Sequence, residues 1–77
     1  MNEDYKTRLQ ELVQQRKNQV LHYELISESG PDHDKQFTVR VMLNDRQAGT
    51  GTGTSKKRAE QAAARQALQS LFPEARV

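Results

Sequence analysis

The sequence contains no cysteine, and that absence excludes disulfides, thiolate metal sites and cysteine nucleophiles together. Histidine is nearly as scarce. His22 and His33 are too few for a zinc site unless carboxylates join them, and nothing beside them has ligand spacing. No apolar run approaches the length of a signal h-region or a membrane span, so a soluble, cytoplasmic domain with no membrane partner is expected. The hydrophobic fraction is only 34%, yet its residues fall in periodic clusters, which favours a folded domain over a disordered chain. With 77 residues there is material for one small core and little room for a deep substrate pocket. The net charge of +2 is slight, but Lys56, Lys57, Arg58 and Arg65 gather in one segment while Asp32, Asp34 and Glu74 lie elsewhere. The patch is more informative than the total.

The periodicities that are present divide the chain into five elements. From Tyr5 to about Lys17, Tyr5, Leu9, Leu12 and Val13 recur at i, i+4, i+7 and i+8, the stripe of one helical face, with Asp4 placed as its cap. Thr7, Gln10, Glu11 and Gln14 fall on the opposite face as an unbroken polar strip. Leu21 to Glu28 shows loose alternation and stops at Ser29-Gly30-Pro31, a break signal. Phe37, Val39, Val41 and Leu43 then alternate strictly with polar or less buried types, as in a strand with one buried face. Asn44-Asp45 suits a tight hairpin, because both residues tolerate positive φ. A third strand starts near Arg46, and Gly49, Gly51 and Gly53 strip side chains from one of its faces, so something packs close to its backbone. Ser55 is a good N-cap for a second helix whose Ala59, Ala63, Ala64, Ala67, Leu68 and Leu71 form a small-residue stripe, and Pro73 ends it. The order is α-β-β-β-α. The expected fold is α+β, with two helices packed on one face of a three-stranded antiparallel sheet. Residues 4–72 make the domain, with 1–3 and 73–77 as flexible ends.

The stretch GTGTGTSKKR, Gly49 to Arg58, invites a phosphate reading that can be tested by spacing. A Walker loop requires lysine directly after its last glycine, whereas Gly53 is followed by Thr54 and Ser55. The dinucleotide fingerprint G-x-G-x-x-G is not met either, and no βαβ unit surrounds it. What remains is a helix start with Lys56, Lys57 and Arg58 in the first turn, where the helix dipole disfavours cations. A solvated charge run is the ordinary explanation of such a cluster. Three cations at the unfavourable end are better explained by a polyanion that also meets the free backbone N–H groups.

With these segments in view, KTRLQELVQ, GPDHDKQFTVRV and SKKRAEQAAARQAL together resemble the double-stranded RNA-binding domain, over almost the whole chain and in the right order. The pattern is most similar to the version at the C-terminus of bacterial ribonuclease III. The resemblance implies that the polar strip Thr7, Gln10, Glu11 and Gln14 meets one minor groove, and that Gly30, Pro31 and His33 enter the next. Ser55, Lys56, Lys57 and Arg58 then meet the phosphates between. A-form RNA shows 2′-hydroxyls across a shallow minor groove, and amides or a carboxylate can exchange hydrogen bonds with a hydroxyl that both donates and accepts. Pro31 stiffens its turn and leaves carbonyls to accept from 2′-hydroxyls, while His33 can donate. In many members a lysine stands where this chain has Glu60, and Arg58 lies roughly 200° around the helix from it. If Lys56, Lys57 and Arg58 each neutralise one phosphate, binding should weaken roughly 40-fold between 50 and 200 mM salt.

The implied function is binding of double-stranded RNA by shape, without strong sequence specificity, as the substrate-binding module of an endoribonuclease that processes structured RNA such as rRNA precursors. Its catalytic domain would lie upstream, with magnesium and homodimerisation belonging there. The present chain has no catalytic residues, metal site or cofactor of its own on this reading. Tyr5, Tyr23, Phe37 and Phe72 could stack bases, but they sit at apolar-face positions and are read as core. Two other readings share the fold: a protein-protein or dimerisation module, for which Ile26 and Met42 on the sheet face are the residues to watch, and an RNA-binding domain of a non-enzymatic parent.

Overall fold

Residues 4–75 are described by a computed structural model of the chain. Five elements follow in order: α1 (Tyr5–Gln14), β1 (Leu21–Ser29), β2 (Gln36–Leu43), β3 (Arg46–Gly53) and α2 (Lys56–Leu71). The strands form one antiparallel sheet in the order β1-β2-β3. Both helices cover a single face of it, as the paired periodicities predict. Of the two expected flexible ends, residues 1–3 and 76–77 lie outside the described residues. Pro73 to Ala75 make a turn in which the Ala75 N–H donates to the Phe72 carbonyl at 2.9 Å.

The strict alternation of β2 sends Val39 and Val41 into the core, where they meet Leu9 and Val13 of α1 and Ala59, Ala63, Ala64, Ala67 and Leu68 of α2. Tyr5, Tyr23, Phe37 and Phe72 pack around this cluster, which accounts for all four aromatic rings. The glycines of β3 let α2 lie directly on the strand. Gly51 pairs with Val39, and a methyl group there would come within 2.3 Å of the Ala63 nitrogen. At Gly49 it would meet the Ala63 carbonyl oxygen at 2.6 Å. The α2 stripe must be alanine and the β3 face must be glycine for the same reason, since each leaves the other its space.

Three details depart from the expectation. Helix α1 stops at Gln14 rather than near Lys17: the Gln15 and Arg16 N–H groups turn back to Leu12 and Val13, three residues behind, and Asn18 takes a φ of 61°. In the Asn44-Asp45 hairpin only Asn44, at φ 55°, is left-handed, and its side chain accepts from the Val20 N–H at 3.0 Å. Finally, the sheet carries an extra residue in each outer strand, Ile26 between Leu25 and Ser27, and Ala48 opposite the Val41-Met42 step. The bulge leaves Ile26 47% exposed, beside Leu25 at 43%. On the open sheet face Glu24 accepts from Arg40 at 2.5 Å and lies 2.7 Å from the His22 ring, so that face is polar where it is most regular.

Candidate nucleic-acid interface

The strip on α1 emerges as the helix geometry requires: Thr7, Gln10, Glu11 and Gln14 are all exposed, opposite the buried Leu9 and Val13. Gln10, Glu11 and Gln14 make no side-chain hydrogen bond among the described residues, which leaves their amides and carboxylate free for a ligand. Thr7 differs. Its hydroxyl donates to Asp4 Oδ2 at 2.7 Å, so it retains lone pairs but no proton to offer. Asp4 also accepts from the Thr7 N–H at 3.1 Å and from Gln61 Nε2 at 3.0 Å, and these bonds, Gln61's foremost, hold its carboxyl down at about 2.

The second group stands between β1 and β2. Gly30 takes a φ of 92°, and a Cβ there would lie 2.4 Å from the Asp34 carbonyl oxygen, so the turn requires glycine. The Pro31 carbonyl accepts from the Asp34 N–H at 2.9 Å, which occupies one of its two lone pairs and leaves the other. His33 is exposed and makes no side-chain hydrogen bond among the described residues. Of the two acids that flank it, Asp32 is partly offset by Lys35 at 3.7 Å, which also lies 3.6 Å from Glu28.

At the start of α2 the Ser55 hydroxyl accepts from the Arg58 N–H at 3.1 Å, as an N-cap should. Lys56 and Lys57 are exposed and have no carboxylate partner among the described residues, while Lys6, Lys35 and Arg40 all do. Arg16 and Arg65 rest instead over the rings of Phe72 and Tyr5. Arg58 is engaged locally: its guanidinium reaches Thr54 at 3.4 Å, and its side chain shares a shallow surface hollow with Tyr5, Gln61 and Arg65. Glu60, at the position where a third cation was sought, pairs with Lys6 of α1.

Sheet register brings two of the three groups to one end of the molecule. Ser29 pairs with Gln36, Glu28 with Phe37, and Phe37 with Gly53, so the loop from Gly30 to Lys35 and the turn into Ser55 leave the sheet side by side. Helix α1 joins from the same end. Its first residues bond to Glu60 and Gln61 early in α2, and Arg16 beyond its last turn reaches Phe72 at the end of α2, so the two helices run in the same direction. Reading the sequence missed Gln61 as a contact between helices. Its position on α2 marks only a boundary between buried and exposed faces, and its partners lie more than fifty residues away.

A small α-β-β-β-α domain with, among the described residues, unpaired amides on one helix and unpaired lysines at the start of the other has the fold and surface of a nucleic-acid-binding module. The family model described as the double-stranded RNA binding motif matches residues 5–71, and the chain belongs to that family. It is similar to Ribonuclease 3 of Carboxydothermus hydrogenoformans, 54% identical over 74 residues, which is 96% of this chain and 32% of that protein. Ribonuclease 3 of Oceanobacillus iheyensis is 52% identical over 68 residues, covering 88% of this chain and 30% of its own. Ribonuclease 3 of Campylobacter fetus is 49% identical over 71 residues, 92% and 32% respectively. The chain thus spans about a third of the length of the curated relatives it matches. No helix among the described residues is long and apolar enough to cross a membrane.

Proposed function

We propose that the chain binds double-stranded RNA by placing Thr7, Gln10, Glu11 and Gln14 in one minor groove, Gly30, Pro31 and His33 in the next, and Ser55, Lys56 and Lys57 at the phosphates between them. Arg58 reaches phosphate only if its side chain leaves Thr54. The observation that carries the reading is the pair Lys56 and Lys57. Among the described residues they stand without carboxylate partners at the electropositive end of a helix, beside the Gly30 loop, on a molecule that neutralises Lys6, Lys35 and Arg40 internally. The parent is a ribonuclease III, an endoribonuclease acting on structured RNA such as rRNA precursors in the cytoplasm. This chain supplies its grip on the duplex. Cleavage, magnesium and homodimerisation belong to a catalytic domain upstream, and the binding domain needs no cofactor of its own.

The test is a titration with one duplex sequence as RNA, as DNA and as an RNA-DNA hybrid, at two salt concentrations. RNA should bind at least about tenfold better than DNA, because only 2′-hydroxyls answer the α1 strip, and Lys56→Ala with Lys57→Ala should abolish binding. Equal binding of all three with a steep salt dependence would reduce the site to a general polyanion patch. Absence of binding would bring forward a protein-binding role.

A further inference from the structure

The helices meet through a side chain to which neither the groove nor the phosphate contacts assign a task. Gln61 sits in the second turn of α2, half-buried. Its Oε1 accepts from the Tyr5 N–H at 2.7 Å and from the Lys6 N–H at 3.3 Å, and its Nε2 donates to Asp4 Oδ1 at 3.0 Å. The N–H groups of a first helical turn have no partner within the helix, and they are ordinarily satisfied by a local cap or by water. Here Asp4 caps Thr7, and a residue of the other helix caps the two amides before it. The adjacent Glu60 pairs with Lys6. Residues 4–6 are thereby tied to residues 60–61 through both side chains and main chain, which fixes the rotation of α1 about its axis as well as its distance from α2.

Rotation is the quantity that duplex recognition would demand. One residue of slip turns a helix by about 100° and would carry the Thr7 strip off the surface it presents. A duplex holds its minor groove and its phosphates at a set separation, so the strip must keep a set relation to Lys56 and Lys57. Gln61 stands between them, one turn beyond the lysines and against the residues that lead into Thr7. Resting on the duplex-RNA reading above, we infer that Gln61 is a positioning residue for binding: it holds α1 at the angle at which its strip meets the minor groove while Lys56 and Lys57 meet the phosphates.

The experiment compares Gln61→Met, similar in length and helix propensity but unable to make the three bonds, with the exchanged pair Asp4→Asn and Gln61→Glu, which keeps the two acceptor bonds and reverses the third, so that the amide at position 4 donates to the carboxylate at position 61. Both are titrated with RNA and DNA duplexes at two salt concentrations. Gln61→Met is also combined with Gln10→Ala and with Lys57→Ala, and amide exchange is followed at Tyr5 and Lys6 by NMR. Gln61→Met should weaken RNA binding about tenfold and raise exchange at both amides, while the salt slope stays that of the wild type because the lysines are untouched. Its effect should overlap with that of Gln10→Ala and multiply with that of Lys57→Ala. The exchanged pair should retain slow exchange and most of the affinity. A folded Gln61→Met that binds RNA as the wild type does overturns the inference, as does a loss shared equally by RNA and DNA that multiplies with Gln10→Ala. Should Gln61→Met not fold, the exchanged pair decides, since lost affinity with both amides still protected overturns the inference as well. A wild-type chain that binds RNA and DNA alike overturns the underlying duplex-RNA reading before any variant is compared.

Discussion

Gly51 shows how little freedom single positions have here. A methyl group on it meets backbone of α2, not the yielding end of a side chain, so the helix must move away from β3 to admit it. Gly51→Ala should destabilise the fold by about 3 kcal/mol, seen as a lower denaturant midpoint with an unchanged slope. Tyr23 is constrained differently. Its hydroxyl is buried without a hydrogen-bond partner among the described residues, Lys6 lies 4.7 Å from the centre of its ring, and burial followed by the nearby Glu60 and Asp4 carboxylates pushes the phenol up to about 12. A folded-state value above the ordinary 10 means that the neutral phenol supports the fold fully below pH 10, and that this support is lost as pH rises toward 12. Tyr23→Phe should fold at least as well at neutral pH, because it removes an unsatisfied polar atom, and its stability should fall less steeply across that alkaline window. Thermal melts of both proteins between pH 8 and 12 check this.

Among the elements, α2 carries the clearest conflict between stability and binding. Lys56 and Lys57 oppose the helix dipole, so replacing either with alanine should stabilise the fold by some tenths of a kcal/mol, seen as a small rise in melting temperature, while weakening RNA binding. A variant that lost both stability and affinity would deny the lysines their proposed part. With Arg58 directed to Thr54, two phosphate contacts remain, and the fall in affinity between 50 and 200 mM salt should be roughly 12-fold instead of 40-fold. Strand β2 and helix α2 were legible because their patterns are local: alternation from Phe37 to Leu43 gives the buried Val39 and Val41, and the alanine stripe matches the glycines it covers. The early end of α1 and the extra Ile26 and Ala48 were not. Asn18 and a register shift decide them, and a register belongs to a pair of strands, not to either sequence alone.

For the molecule as a whole, the hairpin register is what turns separate motifs into one surface, since it delivers the Gly30 loop and the start of α2 to the same end of the sheet. Order and spacing of the motifs already indicated the three groups proposed to contact RNA. The tie from Gln61 to Tyr5 and Lys6 was invisible, because it joins chain ends that no periodicity connects. A surface of three groups should need a duplex long enough to offer two minor grooves, so RNA shorter than about 16 base pairs should bind progressively more weakly at fixed salt, measurable with a length series. The junction of the two helices also has an optical consequence. The chain has two tyrosines and no tryptophan, and Tyr5 lies under Arg65 while Tyr23 lies under Lys6. Its tyrosine emission therefore originates beside the contact between α1 and α2, and an unlabelled sample excited at the tyrosine band reports through its own fluorescence when that contact opens, even while the sheet stays intact.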